Sequence, residues 1–134
     1  MDDRGAVRIF SLTSPIKGHK KIDDIPTLTQ SERNAITEFA ALLRRQLGDI
    51  VREIILFGSK SRGENRLYSD IDILIVLTTV TWEIKRKISE LAAQENIKYG
   101  VLISTIRYDE KLWNDPVILA SPFGSAVRAQ GVPL

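Results

Sequence analysis

Two apolar runs, residues 53–57 and residues 70–77, enclose a short polar segment that contains a glycine at its start. The second run is apolar almost without interruption behind its first residues, which is typical of a strand buried on both faces. The residues at the two junctions are Gly58, Ser59, Asp70 and Asp72. If the two strands are antiparallel neighbours, all four residues lie at one edge of a sheet. The spacing therefore predicts a sheet edge where a Gly-Ser turn faces two carboxylates.

The Gly-Ser turn has the residue types that a phosphate site needs. Gly58 lets the backbone turn sharply and approach a ligand closely, which a side chain would block. Ser59 is predicted to begin a helical turn, whose free N–H groups favour phosphate oxygens. Of the basic residues in this loop, we assign Arg62 to nucleotide binding and expect Lys60 and Arg66 to face solvent.

The two aspartates have the spacing of a metal site. Asp70 and Asp72 are two apart on a strand, so their side chains leave the same face, while Ile71 and Ile73 point into apolar packing. Two neighbouring carboxylates repel each other unless a cation bridges them. Mg²⁺ is held by one or two protein carboxylates together with water and phosphate oxygens. The pattern predicts Asp70 and Asp72 as catalytic, metal-binding residues of a site that takes a nucleoside triphosphate.

Each of these features alone has a simpler interpretation. A Gly-Ser pair is usually only a turn, an Asp-x-Asp at a strand start is often a solvated end, and basic loop residues are usually a solvated face. Their conjunction within one segment favours the nucleotide site.

Local patterns predict the elements around this segment. The first helix begins at Thr29, which has the capping-box spacing to Glu32, and ends at Gly48. A second amphipathic helix is predicted over residues 82–94 and a third strand over residues 97–106.

The C-terminal part is predicted to be helical. A short helix covers residues 109–113, and a last helix begins at Ser121-Pro122 and stops at Gly131. The resulting order is α-β-β-α-β-α-α, after an extension with a short edge strand over residues 7–12. We expect the scattered aromatic residues to lie in the core or between helices: Phe39, Trp82, Tyr99, Trp113 and Phe123.

Composition restricts the class of protein. The chain has 134 residues, which is enough for one domain, and no cysteine, which excludes thiolate chemistry. Nineteen basic and seventeen acidic residues leave a net charge of +2, which does not favour nucleic acid as a partner. The longest apolar run is too short to span a bilayer and the start has no pattern of a signal peptide, so we expect a cytoplasmic protein without a membrane partner.

The segment resembles the minimal nucleotidyltransferases of the DNA polymerase β superfamily, the MNT or MntA-like domains. These have Gly-Ser, about ten residues and then Asp-x-Asp, carried here by Phe57-Gly-Ser-Lys-Ser-Arg-Gly63 and Ser69-Asp-Ile-Asp-Ile73. The resemblance implies an α/β (α+β) fold with a short mixed sheet, Mg²⁺, and ATP or another nucleoside triphosphate as donor. Residues 1–28 are then an N-terminal extension and residues 29–134 the nucleotidyltransferase domain.

One feature of the superfamily is absent from this chain. The third metal-binding carboxylate belongs on the third strand, near Ile103 or Ser104, and the predicted strand contains no acid. Asp109 and Glu110 follow it, without any indication that either reaches the metal. Activation of the acceptor hydroxyl is the step that this absence weakens.

Two hypotheses of function follow from the resemblance. In the first, the chain transfers a nucleoside monophosphate, AMP from ATP, to a HEPN-type partner protein as the antitoxin of a toxin–antitoxin pair. In the second, it is a degenerate transferase fold that acts by protein–protein binding alone. The sequence leaves open which nucleotide is used and whether the chain forms an oligomer.

Overall fold

The structure is a computed structural model that describes residues 20–64 and 69–134. The strand predicted over residues 7–12 and Arg66 lie outside these residues. The elements follow in the order α1 Gln30–Leu47, β1 Val51–Phe57, β2 Ile71–Leu77, α2 Trp82–Tyr99, β3 Ile103–Asp109, α3 Glu110–Trp113, α4 Pro116–Ala120, α5 Pro122–Gln130 and β4 Val132–Pro133. Short 3₁₀ turns over Ile22–Asp24 and Gly48–Ile50 precede α1 and β1.

The strands form one mixed sheet in the order β3-β2-β1-β4. β1 is antiparallel to both β2 and β4, and β2 is parallel to β3, to which α2 connects it. The predicted antiparallel neighbours and the short mixed sheet of an α/β fold are confirmed. The end of β1 and the start of β2 therefore lie at the same edge of the sheet.

Helices cover both faces of this sheet. On one face, α1 and α2 pack against alternate residues of the central strands, with Phe39 and Ile88 both fully buried. On the other face, Trp113 and Val127 pack with Ile55, Leu74 and Val76. This two-sided packing buries β2 from Ile73 to Leu77 completely, which explains its nearly unbroken apolar sequence.

The start of α1 is held as its sequence predicts. The Glu32 N–H donates to Thr29 Oγ1 at 3.0 Å, and the Thr29 N–H donates to Glu32 Oε1 at 2.9 Å. The segment before α1 also joins the core, since Ile25 and Leu28 are buried there. The division of the chain at residue 28 stays a prediction.

The third strand begins later than we expected. Residues 97–99 continue α2, and Ile97 is 86% exposed on its surface. The helix ends at Gly100, whose φ of +66° is favourable for glycine and whose N–H donates to the Asn96 carbonyl at 2.9 Å. The Asn96 side chain then accepts the Ile103 N–H at 2.8 Å, which starts β3. Ile97 and Tyr99 favour a strand by residue type, so the strand was predicted too early.

The aromatic residues divide into two groups. Phe39 and Trp113 are buried on opposite faces of the sheet, and Phe123 packs beside Trp113, as predicted. The prediction for Trp82 was wrong, because its side chain is 67% exposed at the start of α2, with the Arg86 guanidinium 5.5 Å from its ring. No helix in the described ranges has both the length and the apolarity needed to cross a membrane.

Candidate active site

The end of β1 and the start of β2 bring Gly58 and Asp72 together. Phe57 and Asp72 are register partners in the β1–β2 pair, so Gly58 follows directly at the sheet edge. Gly58 has a φ of +79°, which strains any other residue type. A Cβ atom at Gly58 would lie 3.3 Å from Cγ of Asp72 and still closer to its Oδ2. The glycine is therefore needed both for the turn and for the space beside the carboxylate.

A single helical turn follows Gly58. The Arg62 N–H is shared between the carbonyls of Gly58 and Ser59 at 3.3 and 3.2 Å, and the Gly63 N–H donates to the Lys60 carbonyl at 3.2 Å. The Ser61 hydroxyl, on a buried side chain, donates to the Gly58 carbonyl at 2.8 Å. Ser59 thus begins a helical turn, as the sequence predicts.

The two aspartates lie at the start of β2. Asp72 is half-buried and shares the face of Phe57, while Ile71 and Ile73 are buried on the opposite face. Burial raises the pKa of the Asp72 carboxyl, the charge of Asp70 raises it further, and Arg62 opposes both. A half-buried carboxylate whose charge is destabilised by a second one fits a hard divalent cation such as Mg²⁺, which would interact with both.

Lys60 does not face solvent, and that prediction was wrong. Its side chain is 9% exposed, and its ammonium lies 2.5 Å from Oε2 of Glu32, a residue of α1 that is 13% exposed. Burial alone would raise the pKa of Glu32, but the hydrogen bonds from Lys60 and Thr29 bring it below its usual value. Sequence reasoning found Glu32 only as a capping residue, because its ion-pair partner is distant in the chain.

Arg62 lies at the exposed side of the turn. Its Nε donates to Glu64 Oε2 at 2.8 Å. This hydrogen bond, with the charges of Glu64 and Asp72, raises the pKa of the guanidinium although burial opposes the shift. Arg62 therefore interacts electrostatically with Asp72, while its side chain is hydrogen-bonded to Glu64.

Ser104 is the residue of β3 that lies beside the aspartates. Asp72 and Ser104 are register partners in the parallel β2–β3 pair, whereas Ile103 is buried in the core on the other face. Asp109 pairs with Leu77 at the far end of the strands and caps α3 through its carboxylate. Asp109 and Glu110 therefore lie away from Asp72. Within residues 20–64 and 69–134, no three acidic or histidine side chains form a metal-binding group.

Aromatic packing supports this corner of the sheet from the side of Asp72. The rings of Phe57 and Phe123 meet edge to face at 5.4 Å, and those of Tyr108 and Trp113 are also 5.4 Å apart. Ser121 caps α5, with Pro122 in its first turn, as predicted. The C-terminal helices thus brace β1 directly before Gly58, a role that the sequence pattern did not indicate.

Fold and site together define a class: a small mixed α/β domain with a Gly-Ser turn and an Asp-x-Asp pair at one sheet edge. A family model described as "Nucleotidyltransferase domain" matches residues 36–118. The chain belongs to this family and is a nucleotidyltransferase.

The names of similar proteins agree with this assignment, and the fold is also found in a solved structure. Two Methanocaldococcus jannaschii proteins named as candidate protein adenylyltransferases, MJ0604 and MJ0141, are 38% and 37% identical to this chain over 87 and 78 residues. The matches cover 65% and 58% of this chain and 83% and 79% of those proteins. A mutant crystal structure of the toxin–antitoxin MntA–HpeT shares the fold, with a TM-score of 0.51 and 24% identity over 72% of this chain and 69% of that one. A second mutant structure of the same pair has a TM-score of 0.49 and is 26% identical, over 76% of this chain and 70% of that one.

Proposed function

We propose that this protein transfers AMP from ATP to a hydroxyl group of a partner protein in a Mg²⁺-dependent reaction. The observation that carries the proposal is the direct contact between the Gly58 turn and Asp72. A phosphate held by this turn would lie beside a metal ion held by the carboxylate, as transfer of a nucleotidyl group needs. The names of the M. jannaschii relatives support adenylyl transfer and a protein acceptor.

The residues have separate roles in this proposal. Gly58 and Ser59 hold the phosphates, and Arg62 balances their charge after it exchanges Glu64 for the nucleotide. Asp70 and Asp72 hold Mg²⁺, which when bound draws charge from the leaving group. The acceptor oxygen attacks the α-phosphorus, the bond from that phosphorus to the bridging oxygen breaks, and pyrophosphate leaves. The proton of the acceptor passes to water.

The acceptor is proposed to be a HEPN-type protein, so that the pair is a toxin and its antitoxin. A domain of this size has little surface for an elaborate acceptor pocket, which favours a side chain presented by another protein. The resemblance to MNT domains supports this partner. Since ATP and Mg²⁺ are both available in the cytoplasm, we propose that the protein acts there.

A second candidate function rests on Ser104. A hydroxyl stands on β3 beside Asp72 where a third carboxylate would complete the metal site. A protein that holds nucleotide weakly and acts by binding its partner is the alternative that this residue favours.

Calorimetric titration of ATP, CTP, GTP and UTP, each with and without Mg²⁺, tests the proposal. We expect wild type to bind ATP only when Mg²⁺ is present. We expect the Asp70→Ala, Asp72→Ala double variant to bind neither ATP nor Mg²⁺. The purified HEPN-type protein is then incubated with this chain and ATP, and its mass is measured. A gain of one AMP group supports transfer. An unmodified partner that is inhibited equally by the wild type and the double variant supports the binding module instead.

A further inference from the structure

We propose that Lys60 is a positioning residue, which fixes the Gly58–Ser59 turn by its largely buried ion pair with Glu32 and does not bind the nucleotide. This inference rests on the proposed function, because it concerns how the same turn holds phosphate. A lysine directly after a Gly-Ser turn would otherwise be taken as a phosphate ligand.

The geometry of the pair argues for positioning. The Lys60 ammonium lies 2.5 Å from Glu32 Oε2, and the two side chains are 9% and 13% exposed. A lysine that moved to a phosphate would leave the partly buried Glu32 carboxylate without its counter-charge. Such a loss is costly, because water is largely excluded from a buried carboxylate.

Glu32 is itself held in place. Its Oε1 accepts the Thr29 N–H at 2.9 Å, while its own N–H donates to Thr29 Oγ1 at 3.0 Å. One carboxylate therefore caps α1 with one oxygen and receives Lys60 with the other. The turn is anchored to the first turn of an 18-residue helix.

Lys60 transmits this anchor to the turn through its main chain. Its carbonyl accepts the Gly63 N–H at 3.2 Å, and the next residue, Ser61, is buried and hydrogen-bonds the Gly58 carbonyl. The Lys20 ammonium adds a bond to the Ser61 carbonyl at 3.2 Å. Fixing Lys60 thus fixes the backbone from Gly58 to Gly63, where the phosphates are proposed to lie.

The test compares Lys60→Met, Glu32→Gln and the double variant. The glutamine keeps an oxygen for the Thr29 N–H, and the methionine keeps most of the lysine stem. Lys98→Met is the matched control, since Lys98 also pairs with a glutamate of α1, Glu38, at 2.8 Å but does so from α2. ATP affinity in the presence of Mg²⁺ and hydrogen exchange of the Arg62, Gly63 and Glu64 amides are measured for each protein.

Positioning predicts that each single variant weakens ATP binding by about tenfold and that the double variant is no worse than either, because both residues act through one interaction. Amide exchange in the turn accelerates in all three proteins and not in Lys98→Met. If Lys60→Met weakens binding while Glu32→Gln leaves it unchanged or strengthens it, Lys60 is a phosphate ligand and the proposal is wrong. If wild type binds no ATP, the proposed function fails, but amide exchange still tests the positioning role. Faster exchange of the turn in Lys60→Met and Glu32→Gln than in wild type supports that role, and unchanged exchange contradicts it.

Discussion

Gly58 and Asp72 are packed against each other so closely that the first admits no side chain. Oδ2, Cγ and Cβ of Asp72 all lie within 3.4 Å of the position that a Cβ atom would take on Gly58. The turn that ends β1 and the carboxylate that begins β2 are therefore one structural unit. A change in either is expected to displace the other.

Gly58→Ala is the direct test of this unit. We expect the positive φ to lower the free energy of unfolding by about 1–3 kcal/mol and the new methyl group to push the Asp72 carboxylate aside, so that transfer activity is lost. Gly63→Ala is the control, because Gly63 has a similar φ of +74° and, among the residues that the structure describes, only Thr27 Oγ1, at 3.9 Å, lies near its missing Cβ. Chemical denaturation and ATP titration measure both effects. Equal ATP affinities in the two variants would show that a methyl group at Gly58 does not disturb the Asp72 carboxylate.

Asp72→Asn is expected to make the protein more stable and less active. The pKa of Asp72 is raised in the folded state, so the folded protein favours the protonated carboxyl. Its stabilising effect is present below the usual pKa of 3.8 and is lost as the pH rises through the raised value. At pH 7 the carboxylate of wild type is ionised and destabilises the folded state. The neutral amide removes this destabilisation, so we expect Tm to rise.

The same substitution removes a proposed metal ligand. Transfer should fall by roughly a hundredfold or more, in the range seen when a preorganised charge-stabilising group is lost. Mg²⁺ with ATP should raise the Tm of wild type but not of Asp72→Asn, since only a bound ligand stabilises the folded state. Thermal scans with and without Mg²⁺ and ATP measure this difference. A variant less stable than wild type at pH 7 would show that Asp72 is not destabilised by its neighbours.

Glu95 supplies a pH dependence away from the site. Burial first, and then the hydrogen bond and charge of Glu38, raise the pKa of Glu95 to about 7, while Lys98 opposes the shift. Glu38 accepts bonds from Lys98 and Tyr99, and these hold its own pKa well below the usual value. Glu95 therefore keeps its proton in the folded state, and stability that is complete below pH 4.5 declines until the pH passes about 7.

Glu95→Gln should remove that decline. The amide is uncharged at every pH, as the protonated acid is, so we expect Tm at pH 8 to rise by roughly 2–5 °C and to change little between pH 5 and 8. Glu90→Gln, on the same helix but at an exposed position, is the control and should shift Tm by less. A lower Tm for Glu95→Gln at pH 8 would show that the ionised carboxylate is preferred in the folded state.

The site edge could be predicted because its determinants are local. The strand β2 is indicated by its apolar run, which is buried on both faces. Gly58 at the end of β1 and the acids Asp70 and Asp72 at alternate positions then predict the contact between Gly58 and Asp72. Each of these patterns depends on residues within one hairpin-like segment. The periodicity of a strand determines which side chains share a face.

The remaining features depend on distant contacts. The burial of Lys60 requires Glu32 from another element, and no local pattern pairs these two residues. Likewise, Ile97 and Tyr99 favour a strand by type, but α2 continues to Gly100 because packing on α1 outweighs that preference. The aromatic support from Phe123 is visible only once α5 is folded onto the sheet.

Ser104→Asp tests whether the missing third carboxylate limits the enzyme. Ser104 is the register partner of Asp72 on the parallel neighbouring strand, so an aspartate there would add a third acid to the face of the proposed metal site. We expect tighter Mg²⁺ binding and faster AMP transfer, together with a lower Tm in the absence of metal, because three carboxylates repel more than two. Thr105→Asp is the matched control, since successive side chains of a strand point to opposite faces and Thr105 lies beside Arg107. Mg²⁺ titration and transfer rates compare the two variants. Unchanged Mg²⁺ affinity in Ser104→Asp would mean that β3 does not contribute to the metal site, and that the two aspartates of β2 hold the ion without help from the neighbouring strand.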